Sequence, residues 1–161
     1  MKKYRTIIIL LNLIIVIIYF NWTIAQKEKT LEVGVLALFE LAPVDPRSLM
    51  QGDYMDLRYA ISRTDWKKEK TKRGYCVFKL NENKVAQKVR LQPNTKPLES
   101  GEYIVKYFMN GRRMRFGAES YFFEEGTGQR FEKGKYGGLR IDDAGNSILT
   151  DLYDEQFQLI N

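Results

Sequence analysis

The sequence predicts a mainly β protein: an N-terminal transmembrane helix followed by a mostly antiparallel β-domain built from hairpins, with one short helix. Three observations predict it. An uncharged apolar run occupies residues 6–24. Beyond it, short runs of strand formers alternate with turns rich in Asn, Asp and Gly. Aromatic residues make up 13% of the chain, with ten Tyr and nine Phe, which suits pleated sheet faces better than a helical bundle.

The run from Thr6 to Ile24 reads TIIILLNLIIVIIYFNWTI. It is long enough, as a helix, to cross about 30 Å of hydrocarbon. Asn12 is the only strongly polar interruption in its first half, and it offers an amide to a neighbouring helix. Tyr19 and Trp22 fall near the far end, where aromatic rings favour the membrane–water interface. Lys2, Lys3 and Arg5 precede the run, and the positive-inside rule keeps such cations in the cytoplasm. The expected organisation is a cytoplasmic basic stub (1–5), a transmembrane helix (6–24), a short linker (25–30) and an extracytoplasmic β-rich domain (31–161). Lys27 and Lys29 oppose that orientation weakly, with Glu28 between them. Thr23-Ile24-Ala25 before Gln26 also reads as a signal-peptide cleavage site, but the apolar run is longer than a typical signal core, which favours the uncleaved anchor.

Leu31 to Leu41 (LEVGVLALFEL) reads as a long buried strand, with a helix as the weaker choice. Pro43 and Pro46 break the chain, and Gly52-Asp53 makes a turn. Tyr54 to Ile61 follows as a strand, with Met55, Leu57 and Tyr59 on one face and Tyr54, Asp56 and Arg58 on the other. The charged stretch Arg63 to Arg73 reads as a loop around Trp66. Tyr75–Leu80 and Val85–Leu91 then flank Asn81-Glu82-Asn83-Lys84 as a hairpin. Gln92 to Gly101, with Pro93 and Pro97, is loop. Glu102–Met109 and Arg112–Phe116 flank Asn110-Gly111, the strongest short hairpin signal. Tyr121-Phe122-Phe123 is strand, and Thr127 to Lys135 is the short helix, with Phe131 as its apolar contact. Leu139–Asp142 and Ile148–Leu152 flank Asp143-Ala144-Gly145-Asn146 as a third hairpin.

Composition narrows the chemistry. The 26 basic residues less the three N-terminal ones leave 23 against 20 acidic, so the domain itself carries an ordinary charge despite the net +6. Nucleic acid is therefore not an expected partner. With no His in the chain, His-based acid–base work, Ser-His-Asp and Cys-His pairs and most zinc sites are excluded. Cys76 is the only cysteine, so no internal disulfide can form. It alternates with Phe78 and Leu80 on one strand face and reads as a core thiol. Glu124 and Glu125 are adjacent, so on a strand they face opposite ways and cannot act as a pair. Gly126-Thr127-Gly128 lacks the lysine of a P-loop. The Arg112, Arg113 and Arg115 cluster beside a hairpin tip reads as solvated, with lipid headgroups or an acidic partner as the alternative contact. No cofactor or metal site is expected, and no small-molecule ligand can be named.

The segment Gly52-Asp53-Tyr54-Met55-Asp56-Leu57-Arg58-Tyr59 fits G-D-Y-x-x-L-x-Y at every fixed place. It resembles the GDYXXLXY family of membrane-anchored bacterial envelope proteins. Asp45-Pro46-Arg47 upstream, and Glu119-Ser120-Tyr121-Phe122-Phe123-Glu124-Glu125-Gly126 and Tyr136-Gly137-Gly138-Leu139-Arg140-Ile141-Asp142 downstream, extend the similarity over most of the chain from Leu31. The resemblance implies tethering to the bacterial inner membrane and association with a large multi-pass membrane protein, and it carries no enzymatic activity. Read from the residues, the motif is scaffold first. Gly52 gives the turn a permissive backbone, Asp53 accepts turn hydrogen bonds, and Leu57 and Tyr59 share a core face. The functional alternative makes Asp53, Tyr54 and Arg58 a recognition patch.

An anchor followed by a β-domain with a Gly-Asp turn is also similar to membrane-bound signal peptidases. In that reading Lys72, in Lys72-Arg73-Gly74-Tyr75-Cys76-Val77-Phe78-Lys79, is the lysine base. The chemistry needs a serine beside a lysine whose pKa is depressed by burial. The place of that serine holds Val44 here, and Ser48 lies closer to the turn. The sequence therefore favours a non-enzymatic, membrane-anchored accessory or binding protein of the cell envelope, with a signal-peptidase-like Ser/Lys protease or an inactive relative as the alternative.

Overall fold

The computed structural model describes residues 2–42, 54–62, 71–111, 113–124 and 126–160. Helix α1 spans Lys2–Val33. Its stretch Ile7–Val33 is long and apolar enough to cross a membrane, and none of its apolar window is buried in the protein. Asn21 and Thr23 donate side-chain hydrogen bonds back to the carbonyls of Ile17 (2.9 Å) and Tyr19 (2.8 Å). Such back-bonding satisfies polar side chains within their own helix.

The helix does not stop where the apolar run does. Residues 25–30, expected as a linker, continue it, as do Leu31–Val33, expected as strand. The cause is local. No Gly or Pro lies between Ala25 and Val33, and Ala25, Gln26, Lys27, Glu28 and Lys29 are good helix formers. Gly34 ends the helix, with its N–H donating to the Thr30 carbonyl at 3.0 Å.

Strands β1 (Val35–Glu40), β8 (Tyr136–Ile141) and β9 (Ser147–Tyr153) form one antiparallel sheet in the order β1-β8-β9. A second sheet has the order β4-β3-β5-β6, built from β3 (Arg73–Leu80), β4 (Ala86–Gln92), β5 (Glu102–Asn110) and β6 (Arg113–Arg115). A two-stranded ribbon pairs β2 (Tyr54–Asp56) with β7 (Ser120–Phe122). The short helix α2 covers Gly128–Phe131. The mainly antiparallel β fold behind an apolar N-terminal helix is as the sequence predicts. All three turn-signalled hairpins form, as β3–β4, β5–β6 and β8–β9.

The strand expected over Tyr54–Ile61 is shorter. It ends at Asp56, and Ala60–Ser62 closes a 3₁₀ turn in which the Ser62 N–H donates to the Tyr59 carbonyl at 3.0 Å. Tyr59 pairs instead with Leu41, just past the end of β1.

The two larger sheets are stitched together at their margins. The Leu38 N–H donates to the Lys84 carbonyl and the Lys106 N–H to the Gly145 carbonyl, both at 2.8 Å. Between them lies an aromatic core centred on Phe39, whose ring sits 5.5 Å from Phe78, 5.5 Å from Phe116 and 5.6 Å from Tyr59. Edge-on pairs at this spacing let positive ring edges meet negative faces. Cys76 is wholly buried in this core, as expected, and burial pushes its thiol up to about 12. A smaller cluster gathers Met55, Leu57 and Leu152 under Tyr121, Phe123 and Phe131. One ion pair clamps the second sheet across β3: Arg90 on β4 holds both oxygens of Glu102 on β5, at 2.6 and 2.8 Å. Those bonds, with the Glu99 N–H, hold the Glu102 carboxyl down at about 2.

Helix and domain meet at a built joint. The Thr30 hydroxyl, itself buried, lies 3.0 Å from the Gln26 carbonyl and 3.2 Å from Asp142 Oδ2. Arg140 Nη1 donates to the Gly34 carbonyl at 3.0 Å. The Asp142–Ala144 end of the β8–β9 turn lies beside Gln26, Lys29 and Thr30.

Candidate functional site

The segment that carries the sequence motif is built by strand alternation. In the β2–β7 ribbon Tyr54 lies opposite Phe122, Met55 opposite Tyr121 and Asp56 opposite Ser120. Period two sends Met55, Leu57 and Tyr59 inward, and all three are buried. It sends Tyr54 outward, against the ring of Phe122 at 5.7 Å. Phe122 is 73% exposed, so this pair forms an open aromatic face on the ribbon. Gly52, Asp53 and Ser48 lie outside the described residues.

Tyr59 is the pin of the motif. Its ring packs against Phe39 and Phe116, and its hydroxyl donates to the Ala118 carbonyl. Burial first, then the charges of Glu119 and Asp56, raises its hydroxyl well above the ordinary tyrosine range, so it stays a neutral donor. The ring rests on bare backbone: a Cβ on Gly137 would meet Tyr59 Cε1 at 3.0 Å. The next glycine serves a second ring, since a Cβ on Gly138 would meet Tyr153 Cε2 at 2.6 Å. The Gly137-Gly138 pair of β8 therefore exists to let two tyrosines lie flat on the strand.

Glu119 is buried and explains a second segment. Its carboxylate accepts the N–H groups of Phe116 and Gly117, and Arg115 Nε lies 3.5 Å from it. Arg115 also holds Asp56 on β2 at 2.5 Å. The Leu57 N–H donates to the Glu119 carbonyl at 2.7 Å, extending the ribbon beyond β2. Of the arginine cluster expected to be solvated, Arg115 is thus a tie between β6 and β2. Sequence reading missed this role, together with Phe122 and Gly137. Only the alternation around Phe122, which puts it on the face opposite Tyr121, carried a local signal.

Arg58 is partly buried and its Nε is buried with no hydrogen-bond partner among the described residues. Leaving a buried donor unpaired costs about 1–3 kcal/mol, and more where the group is charged. Of the expected recognition patch, Tyr54 lies tilted against Phe122, and Arg58 lines a cleft with Leu41, Met55, Leu57 and Phe131. Lys72, the lysine of the protease reading, is exposed, and its carbonyl accepts the Met109 N–H at 2.8 Å. It lacks the burial that a lysine base needs. Among the described residues, no three metal-ligating side chains converge.

The family model described as GDYXXLXY protein matches residues 16–152. No curated protein and no solved structure matches the chain.

Proposed function

The chain belongs to the GDYXXLXY family, and on that premise we propose that it is a non-enzymatic, membrane-anchored accessory protein of the bacterial cell envelope that associates with a multi-pass membrane protein. The N-terminal stub is cytoplasmic and the β-domain extracytoplasmic, as the positions of Lys2, Lys3 and Arg5 favour. The observation that carries the association is Asn12. Asn21 and Thr23 satisfy their side chains on their own helix. Asn12 is exposed and makes no side-chain hydrogen bond among the described residues. Six residues inside the apolar run, it sits about 9 Å from the run's edge, out of reach of water. A bare amide at that depth is stabilised by a polar group on a neighbouring helix, by about 0.6–2 kcal/mol. The open Tyr54–Phe122 face supports a second contact outside the bilayer, because exposed aromatic pairs are favoured at protein interfaces.

The experiment is quantitative affinity purification of the full chain from detergent extract, beside Asn12→Leu and a chain whose residues 6–24 are replaced by an unrelated apolar helix. The expected result is a multi-pass membrane protein enriched with the natural helix and lost, or strongly reduced, with both variants while membrane insertion persists. Equal recovery with all three chains, or no enriched membrane protein with any, rejects the proposal.

A further inference from the structure

We propose that the cleft lined by Arg58 is a binding site for a carboxylate carried on an apolar stem, separate from the helix-mediated association. The cleft has a volume of about 330 Å³. Its lining combines apolar side chains, Leu41, Met55, Leu57 and Phe131, with the cations of Arg58 and Lys133.

Three observations converge on the ligand class. First, Arg58 stands partly buried beside apolar side chains, with neither an ion pair nor a side-chain hydrogen bond among the described residues. Every other partly buried arginine described in detail above, Arg90, Arg115 and Arg140, is engaged. A guanidinium whose Nε is covered and which has no counter-ion is poorly satisfied, and an anion at its open end relieves it. Since Nε is covered, the anion would take the two terminal nitrogens end-on, in the two-pronged geometry that guanidinium offers to carboxylates.

Second, the balance of charge disfavours a multiply charged anion. Arg58, Lys133 and Lys135 face Glu132 and Glu155 around the same cleft. Lys135 is already paired with Glu40 at 3.2 Å. That leaves Arg58 and Lys133 against two glutamates, an even balance that disfavours a phosphate dianion and leaves the unpaired Arg58 to a single carboxylate. Third, the apolar lining has use only for a ligand with an apolar part beside its charge. An inorganic ion would leave the part-exposed Leu41 and Phe131 uncovered.

The cleft also lies away from the anchor. β1 leaves the helix at Gly34 and reaches Leu41 after six strand residues, about 20 Å further on. Such a carboxylate has two sources, a free small acid or an acidic side chain flanked by apolar residues in a partner segment.

The test uses the full chain in nanodiscs, with the arginine Nε–H resonances followed by NMR and, for natural chain and variants alike, the line broadening of the ligand's own signals. Hexanoate, the capped tripeptide acetyl-Leu-Glu-Leu-amide and inorganic phosphate are titrated separately. The expected result is a saturable shift of the Arg58 Nε–H with hexanoate or the tripeptide. The one that binds tighter identifies the source. Arg58→Gln should weaken that binding by about tenfold or more, the loss expected for a charge-assisted bond. Lys133→Ala, at an exposed position that no core contact needs, should weaken it by a few-fold and covers the case in which Arg58→Gln does not fold. No saturable shift with either carboxylate overturns the proposal, as does phosphate binding more tightly than both, or undiminished binding in Lys133→Ala and Arg58→Gln together.

Discussion

At the scale of the residue, the motif is explained by one side chain. Tyr59 reaches from the end of the β2 segment into the aromatic core, bonds the Ala118 carbonyl and lies on Gly137. Tyr59→Phe keeps the ring and removes the hydroxyl, so it should cost about 1 kcal/mol, the usual net worth of a buried hydrogen bond. Gly137→Ala should cost more, about 1–3 kcal/mol. Its methyl meets a ring edge at 3.0 Å, and Phe39 and Phe116 leave that ring no room to retreat. The two effects are coupled: in a Tyr59→Leu background the Gly137→Ala penalty should largely vanish. Urea unfolding of the detergent-solubilised chains, followed by circular dichroism, measures the cycle, and an unchanged penalty would show that Gly137 serves something other than the tyrosine. Period-two alternation made the burial of Leu57 and Tyr59 legible in the sequence. It could not reveal Gly137, because a contact between distant segments leaves no trace in local spacing. Arg58 was legible as a candidate only by its outward register; its orphaned nitrogen depends on what the fold happens to place around it.

At the scale of the element, turn chemistry was the readable part. Asn110-Gly111 gives Gly111 a φ of 60°, and Asp142 Oδ1 accepts the N–H groups of Ala144 and Asn146 across the β8–β9 turn. These residues announce their hairpins because few others tolerate those conformations. The end of α1 was less readable, since apolar content marks where lipid ends and says little about where a helix does. That extension matters, because Gly34 converts the helix into a fixed mount. A Cβ there would come within 2.3 Å of the Thr30 carbonyl oxygen, a backbone atom that cannot move aside alone. Gly34→Ala should therefore displace the Arg140–Gly34 and Thr30–Asp142 bonds. A loss of about 1–2 kcal/mol in local stability corresponds to about tenfold faster proteolysis of residues 26–34 in nanodiscs. Thr30→Val, which removes one bond and leaves the backbone alone, should accelerate cleavage less. If Gly34→Ala resists protease as well as the natural chain, the joint is not a rigid mount.

At the scale of the whole molecule, the pairings between neighbours in sequence were foreseeable and those that close the fold were not. β1 finds β8, β2 finds β7 and β3 finds β5 through side-chain fit rather than through any turn signal. The β1–β8 pairing has the largest consequence, because β1 follows the apolar helix directly and the pairing ties it to the C-terminal hairpin, so the proposed topology applies to the entire domain. Cysteine labelling can read that side with an internal control. Cys76 is wholly buried and its thiol is pushed up to about 12, so at pH 8 it carries almost no thiolate and should remain silent until denaturant is added. Glu82→Cys lies on the exposed β3–β4 turn and should react with a membrane-impermeant maleimide in intact cells stripped of any outer barrier. Lys3→Cys should react only after the membrane is permeabilised. The reverse order would place the domain in the cytoplasm and remove the topological half of the proposed function. Labelling of Glu82→Cys together with release of the domain into the soluble fraction would instead mean that the chain is cut after Ala25, and the Asn12 contact would then have no helix to act through.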